Sequence, residues 1–415
     1  MAVTDQREPA AFGISPKMAR AVADPWRLRI LAEVSVKPLS PSQFVEEFGG
    51  ELTQVSRCFR QLAKWGYVEV VEERPDRRRG AAIEHVYRAI RRAYFGPSAW
   101  EDVPPDERSS ASLSVLDAYQ ERIRAAIDAG TFDQELDRHL SWDAVALDRP
   151  AWTEVGARLD KVLDSLAEHE IASNQRLATS AEEPIPTTVG LAAFRSPEPP
   201  SLILRGTDRR REGVADTNPG FSLAISPTLA KALSNKWRSR IFAEVSVRPL
   251  SPSQFVEEIG GSMSHVSRCF RELAKWGFIE IIEERNGGRR GGGVERIYRS
   301  AQRPHFDAPT WEAFPQLVRD EISRFFLANY FGRVADAIKA GTFDADTDRH
   351  LSWKPIVIDR QAWTEISESL DEILAWLPTL ETESLERTDH VEALISTTVG
   401  LASFRSPAKS QMFAD

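Results

Sequence analysis

Apolar residues at helical spacing and short strand-like alternations follow one another in this chain in a fixed order, and the order occurs twice. Between Thr53 and Trp65, Val55, Phe59, Leu62 and Ala63 fall at i, i+4, i+7 and i+8, which predicts a helix with one apolar face. Ahead of it, Ser40-Pro41-Ser42-Gln43 offers a capping serine, a proline at the first helical position and a glutamine three residues on, the pattern of a capping box. The short helix so started would bury Phe44, Val45 and Phe48. Gly49-Gly50 then supplies the positive φ of a tight turn. Upstream, Met18, Val22, Trp26, Ile30 and Leu31 line a first helical layer that Ser15-Pro16 opens and Pro25 divides, giving helices over 16–23 and 26–34. Downstream, Gly66 stops the third helix, Tyr67 to Val71 alternates as a strand, and Ile83 to Tyr87 answers it. The stretch Leu39–Tyr87 thus reads as a helix-turn-helix followed by a two-stranded wing.

The same stretch returns at Leu250–Tyr298. Trp65 and Trp276, Tyr87 and Tyr298, Trp142 and Trp353, and Trp152 and Trp363 are each 211 positions apart; the register slips by one before Thr188 and Thr398. The islands SPSQFVEE, VSRCFR, LAKWG, DRHLSW and TTVGLA are identical in both copies. This is a duplication of a whole small protein, longer than the roughly 20–50 residues of a solenoid repeat. After the wing, each copy continues with an amphipathic helix (Leu113–Ala129, with Leu116, Tyr119, Ile123 and Ile127; Ile322–Ala340 in the second copy). Strand-like His139–Leu147, a long helix near Pro150–Leu177 and a closing strand at Thr187–Phe194 complete it. The predicted class is α+β, mainly α: winged helix-turn-helix domains at 15–95 and 226–306, each followed by a small α+β accessory module at 107–197 and 315–407, with a linker at 198–223.

Charge sharpens this organisation. The chain of 415 residues carries a net −9, yet 15–95 holds fifteen Lys+Arg against ten Asp+Glu and 226–306 fourteen against eight. The two modules are net basic, and the remainder carries −20. An acidic body with two basic modules fits a duplex DNA partner touched by the modules alone. No apolar run approaches the roughly 18 residues of a membrane span, so no membrane partner is expected. The opening MAVTDQREPAAFG has no charged-then-apolar leader pattern, which predicts a cytoplasmic, nucleoid-associated protein. Cys58 and Cys269 hold equivalent places on the third helix of each copy and are expected as free thiols.

The candidate chemistry lies on the face of that helix opposite its apolar stripe. Gln54, Ser56, Arg57 and Arg60, beside Gln61, are side chains that reach base edges and phosphates. The second copy carries His265, Ser267, Arg268 and Arg271, beside Glu272. The change from Gln54 to His265 falls at the helix start, where base contacts concentrate, so somewhat different half-sites are expected. The wing tips add Arg77, Arg78 and Arg79, and Arg289 and Arg290, for phosphate or the minor groove. His139 and His350 lack companions at ligand spacing, and Asp137-Arg138 beside His139 reads as a salt-bridged turn. Trp142, Trp152, Trp353 and Trp363 read as core rather than as stacking platforms for an effector. There is no phosphate-cradling glycine loop, nucleophile elbow or zinc-hydrolase spacing, so no enzyme, metal or cofactor is expected.

Val55-Ser56-Arg57-Cys58-Phe59-Arg60-Gln61-Leu62, followed by Trp65-Gly66-Tyr67-Val68, resembles the recognition helix and following strand of bacterial ArsR-type winged helix-turn-helix transcriptional regulators. The resemblance covers 15–95 and 226–306, under half of the chain. It implies a sequence-specific regulator that binds double-stranded DNA. It departs from the metal-sensing members, whose paired cysteines on an earlier helix are missing here, so metal sensing does not carry over. A covalent duplication could place two recognition helices in successive major grooves, about 34 Å apart, within one chain. A second copy of the chain, met through the accessory modules, is the other expected partner; an effector is not indicated by any motif. Two alternatives stay open: a winged-helix scaffold that binds proteins, and a DNA-binding regulator with a small-molecule sensor in the accessory modules.

Overall fold

The computed structural model describes residues 21, 23–75, 83–90, 103–200, 235–286, 294–300, 314–388 and 390–407. The described chain is a mixture of helices and antiparallel sheets. Its first copy runs through α1 (Pro25–Val36), α2 (Pro41–Phe48), α3 (Leu52–Lys64), β1 (Val68–Pro75), β2 (Ile83–Ala89), α4 (Pro105–Asp128), β3 (His139–Leu147), α5 (Arg149–Leu177) and β4 (Ile185–Arg195). The second runs through α6 (Lys236–Val247), α7 (Pro252–Ile259), α8 (Met263–Lys275), β5 (Ile279–Asn286), β6 (Val294–Ser300), α9 (Gln316–Lys339), β7 (His350–Ile358), α10 (Arg360–Arg387) and β8 (Ile395–Arg405). By compactness the chain falls into two units, and it passes between them at Gln120/Glu121, Asp346/Thr347 and Ser352/Trp353.

Each copy opens with a head of three helices and a hairpin, and local chemistry fixes it. Ser40 caps α2: its hydroxyl accepts from the Gln43 amide at 3.1 Å while the Gln43 side chain accepts from the Ser40 amide at 3.0 Å. The same hydroxyl donates to Glu84 at 2.6 Å, tying the helix start to β2. Ser251, Gln254 and Glu295 repeat this arrangement in the second head. Leu39 exchanges two backbone hydrogen bonds of 2.9 Å with Tyr87, so the link before α2 extends the hairpin by one bridge; Leu250 and Tyr298 do likewise. The cores stack the same rings: Phe44 on Phe59 at 5.9 Å and Phe59 on Tyr87 at 5.0 Å, then Phe255 on Phe270 at 5.9 Å and Phe270 on Tyr298 at 5.1 Å.

The turn into α3 demands glycine. Gly50 has φ +99°, and a Cβ there would lie 2.5 Å from the Trp26 ring; at Gly261, φ is +100° and the distance to Trp237 is 2.8 Å. Gly50→Ala therefore combines left-handed strain with a clash against a half-buried ring that packs edge-on to Phe44 at 6.5 Å. It should destabilise the first head by about 2–4 kcal/mol, read as a lowered midpoint in chemical denaturation. An unchanged midpoint would mean that this turn does not set the head's geometry.

The expectation of one accessory module per copy is corrected by the sheet. Its four strands run in the order β3-β8-β4-β7, so neighbours alternate between the copies. The central pair is β4 with β8, antiparallel, with Leu191 opposite its own counterpart Leu401. From that point the pairing is reciprocal: Thr188 faces Phe404 and Phe194 faces Thr398. Two nearly identical strands, each meeting the other as the other meets it, form an isologous contact, the kind that builds two-fold dimers. Thr188 hydroxyl to Ser406 at 2.7 Å and Ser196 to Thr398 at 2.6 Å repeat the reciprocity at the strand ends. Helices α5 and α10 cover one face with Val155, Leu159, Leu166, Trp363, Ile366, Leu370 and Leu377. Phe132 on Phe404 at 4.7 Å and Phe343 on Phe194 at 4.8 Å pack on the alternate residues of the central strands.

Ion pairs follow the same two-fold rule. Asp148 caps α5 through the Ala151 amide at 3.0 Å and accepts from Arg387 at 2.6 Å and Ser384 at 3.2 Å. Asp359 caps α10 through the Ala362 amide at 3.0 Å and accepts from Arg176 at 2.9 Å and Ser173 at 3.0 Å. Glu135 takes Arg360 and Arg405, each at 2.8 Å, while its counterpart Asp346 takes Arg149 at 2.9 Å and Arg195 at 2.8 Å. The turn at Asp137 and Arg138, read as salt-bridged, forms its ion pairs with other parts of the chain. Arg138 turns to Asp133 and Ser323, and Asp137 accepts from Arg360 and from the Trp363 indole at 3.0 Å.

Candidate nucleic-acid interface

The third helix of each head separates two kinds of side chain cleanly. In α3, Val55, Cys58, Phe59 and Leu62 are buried; in α8, Val266, Cys269, Phe270 and Leu273 are. Opposite them Thr53, Arg57, Arg60 and Lys64 form one exposed stripe, and Ser264, Arg268, Arg271 and Lys275 form its counterpart. Gln54 is also exposed, Ser56 and Ser267 are half-buried, and His265 is half-buried. The structure thus gathers Gln54, Ser56, Arg57 and Arg60 on one helix face in the first head. It gathers His265, Ser267, Arg268 and Arg271 on the equivalent face in the second. Thr53, Ser264, Lys64 and Lys275 were not singled out from sequence, although extending the outward spacing by one turn each way finds them.

Few of these cations are neutralised. Among the described residues no ion pair involves Arg57, Arg60 or Arg271, and that of Arg268 is with Glu272 of its own helix at 4.0 Å. Arg60 and Arg271 each donate through Nε to the carbonyl one turn back, Ser56 and Ser267, at 3.2 Å, which leaves their remaining donors pointing outward. The hairpins differ in this respect: Arg74 pairs with Glu72, Arg88 with Glu69 and Arg285 with Glu283. Arg77, Arg78 and Arg79, and Arg289 and Arg290, lie outside the described residues.

A second arginine, missed from sequence, braces each helix from the first one. Arg27 reaches the Gln61 amide oxygen at 3.2 Å and lies over the Trp65 ring at 5.4 Å. Arg238 reaches the Glu272 carboxylate at 2.9 Å and lies over Trp276 at 5.2 Å. Contacts between separate helices leave no periodic trace in a sequence, so no signal marked these two.

Most of the remaining candidates resolve as structural, but Trp142 and Trp353, expected in the core, are only half-buried, with Arg333 over the first ring at 5.3 Å and Arg122 over the second at 5.7 Å. Cys58 and Cys269 are buried and unbridged, and burial pushes both thiols up, away from the reactive thiolate. His139 is buried with Nδ1 on Asp371 at 2.8 Å and Nε2 on the Ser141 hydroxyl at 2.6 Å, a lock between β3 and α10. Among the described residues no group of three His, Cys, Asp or Glu is placed to hold a metal ion. Trp152 and Trp363 are buried, and Trp363 belongs to the core of the sheet and helices. No described helix is long and apolar enough to cross a membrane. Comparison with protein-family models, with curated proteins and with solved structures finds no match for this chain.

Proposed function

We propose that the chain is a sequence-specific double-stranded DNA-binding transcriptional regulator, built as a covalent pseudo-dimer with two winged helix-turn-helix heads. One observation carries this: each third helix buries one face in its head's core and turns outward a stripe of cations that hardly any carboxylate neutralises. A cationic stripe one helix wide fits a major groove, and the hydroxyl and amide side chains within it supply the hydrogen-bonding needed to read bases. The bridge from Leu39 to Tyr87 and the following hairpin supply a wing beside that helix. The likeness of VSRCFRQL and WGYV to the ArsR-type pattern agrees with this assignment. The reciprocal β4–β8 pairing accounts for the duplication, since one chain contains an isologous contact that two separate subunits would otherwise make.

Binding of the full chain to duplex DNA, measured against salt, tests this. The affinity should fall linearly on a log–log scale, with the slope set by the number of phosphates neutralised. Replacing Arg77, Arg78 and Arg79 by alanine should weaken all sequences alike and flatten that slope by about one to three units. If no duplex is retained even at low salt, the protein is not a DNA reader.

A protein-interaction scaffold is the second reading, and one feature favours it. A bulge in each hairpin turns two successive apolar residues outward, so Val70, Val71 and Ile83, and likewise Ile281, Ile282 and Val294, lie exposed. Failure to bind DNA together with capture of a defined protein on these ribbons would support it.

A further inference from the structure

The two heads share a backbone plan but present unequal reading surfaces. In α3, Gln54 is exposed, and among the described residues its side chain makes no hydrogen bond. An unengaged amide offers a donor and an acceptor together, the complement of the N6 and N7 edge of adenine. At the equivalent place in α8, His265 is half-buried and its ring is committed three ways. Nδ1 lies 3.0 Å from Arg268 Nη2, Nε2 lies 3.7 Å from the Cys269 sulfur, and the ring meets Trp237 edge-on at 6.2 Å. A guanidinium can only donate, so Nδ1 accepts and the neutral ring keeps its proton on Nε2, which faces the thiol rather than the outside.

The rest of the first turn differs in the same direction. Ser262 caps α8 through the His265 amide at 3.4 Å, whereas Glu51, at the same place before α3, makes no side-chain cap. Further along, Gln61 is replaced by Glu272, whose carboxylate lies 4.0 Å from Arg268. Arg57 has neither neighbour. The second head therefore holds its outward arginine between a histidine and a carboxylate, while the first leaves both its arginine and its glutamine available.

We propose that one chain reads a DNA site with two non-equivalent halves. The first head specifies two base pairs, an adenine through Gln54 and a guanine through Arg57. The second specifies only the guanine, through Arg268, with His265 as a positioning residue that holds the guanidinium and leaves the adenine position unread. This rests on the DNA-binding function proposed above and assigns the base chemistry of each head.

Selection of the full chain against random duplexes, followed by competition between the selected site and single-base variants, tests the assignment. The selected motif should have two related parts, with the adenine fixed in one and any base accepted at the matching place in the other. Replacing that adenine should lower affinity roughly tenfold or more, the worth of one bidentate amide–adenine contact. Gln54→His should remove that preference, and His265→Gln should create it in the other half; unchanged melting curves would show both variants folded. A motif with two equal halves, or variants that leave both halves as they were, would overturn the inequality and leave DNA reading intact. The absence of any enriched motif would overturn both.

Discussion

Replacing Arg57 and Arg268 together by alanine is expected to abolish sequence-specific retention of duplex DNA in a gel shift, while thermal unfolding stays where it was. Both side chains are exposed on the outer stripe of their helices. Arg57 makes no ion pair among the described residues, and the one made by Arg268 is long, 4.0 Å, and largely exposed. Stability therefore has little to lose, since exposed pairs contribute at most about 1 kcal/mol. Binding has much to lose. A bidentate arginine–guanine contact is worth about 1–3 kcal/mol, so losing one in each head should weaken specific binding by roughly thirtyfold to twenty-thousandfold. Each single variant should show about the square root of that factor if the heads act independently. Nonspecific binding at low salt should survive in part, because Arg60, Arg271, Lys64 and Lys275 remain. An unchanged shift on the cognate duplex would remove α3 and α8 as the base-reading elements.

What could be read from the chain alone divides along the range of the forces involved. The capping boxes at Ser40 and Ser251, the helix over 52–64 and the strands at 139–147 and 185–195 depend on neighbours a few residues away, and each left its pattern in order. The exposed stripe was found in part, because helical spacing alone predicts which side of α3 turns outward. The accessory strands show where such patterns stop. TTVGLA in one copy is chemically identical to TTVGLA in the other, so local sequence allows β4 to close its own module or to pair across. Register is set by long-range packing, and here it selects the reciprocal arrangement with Leu191 on Leu401. In hindsight the near-identity was itself a cue, since two like strands can meet antiparallel about a two-fold axis with every contact satisfied twice. The braces Arg27–Gln61 and Arg238–Glu272 had no cue at all, being pairs between separate helices 34 positions apart.

The shared body should also be sensitive to acid, and the sign follows from two carboxylates. Asp148 and Asp359 each sit at a helix start and accept from an arginine of the opposite copy's long helix. Those arginine hydrogen bonds, with the capped amides of Ala151 and Ala362, hold both carboxyls below the ordinary aspartate range. A lowered folded value means stability that is complete above the unfolded value, about pH 4, and declines as the pH falls through the folded value beneath it. Asp359→Ala removes a cap and takes the carboxylate acceptor of Arg176 and Ser173, whereas Asp148→Ala removes a cap but leaves Arg387 its pair with Glu383 and Ser384 its bond to the Leu380 carbonyl. Asp359→Ala should cost the body about 1–2 kcal/mol at neutral pH and Asp148→Ala less, a cap plus an arginine bond that solvent screens. Chemical denaturation of the wild type and the double variant at pH 7 and at pH 3 reads the effect: a wide gap at neutral pH that narrows on acidification, because protonation removes from the wild type what alanine has already removed from the variant. A gap of the same width at both pH values would mean that the carboxylates cap their helices without contributing charge, and that packing around Leu191 and Leu401 alone joins the two copies.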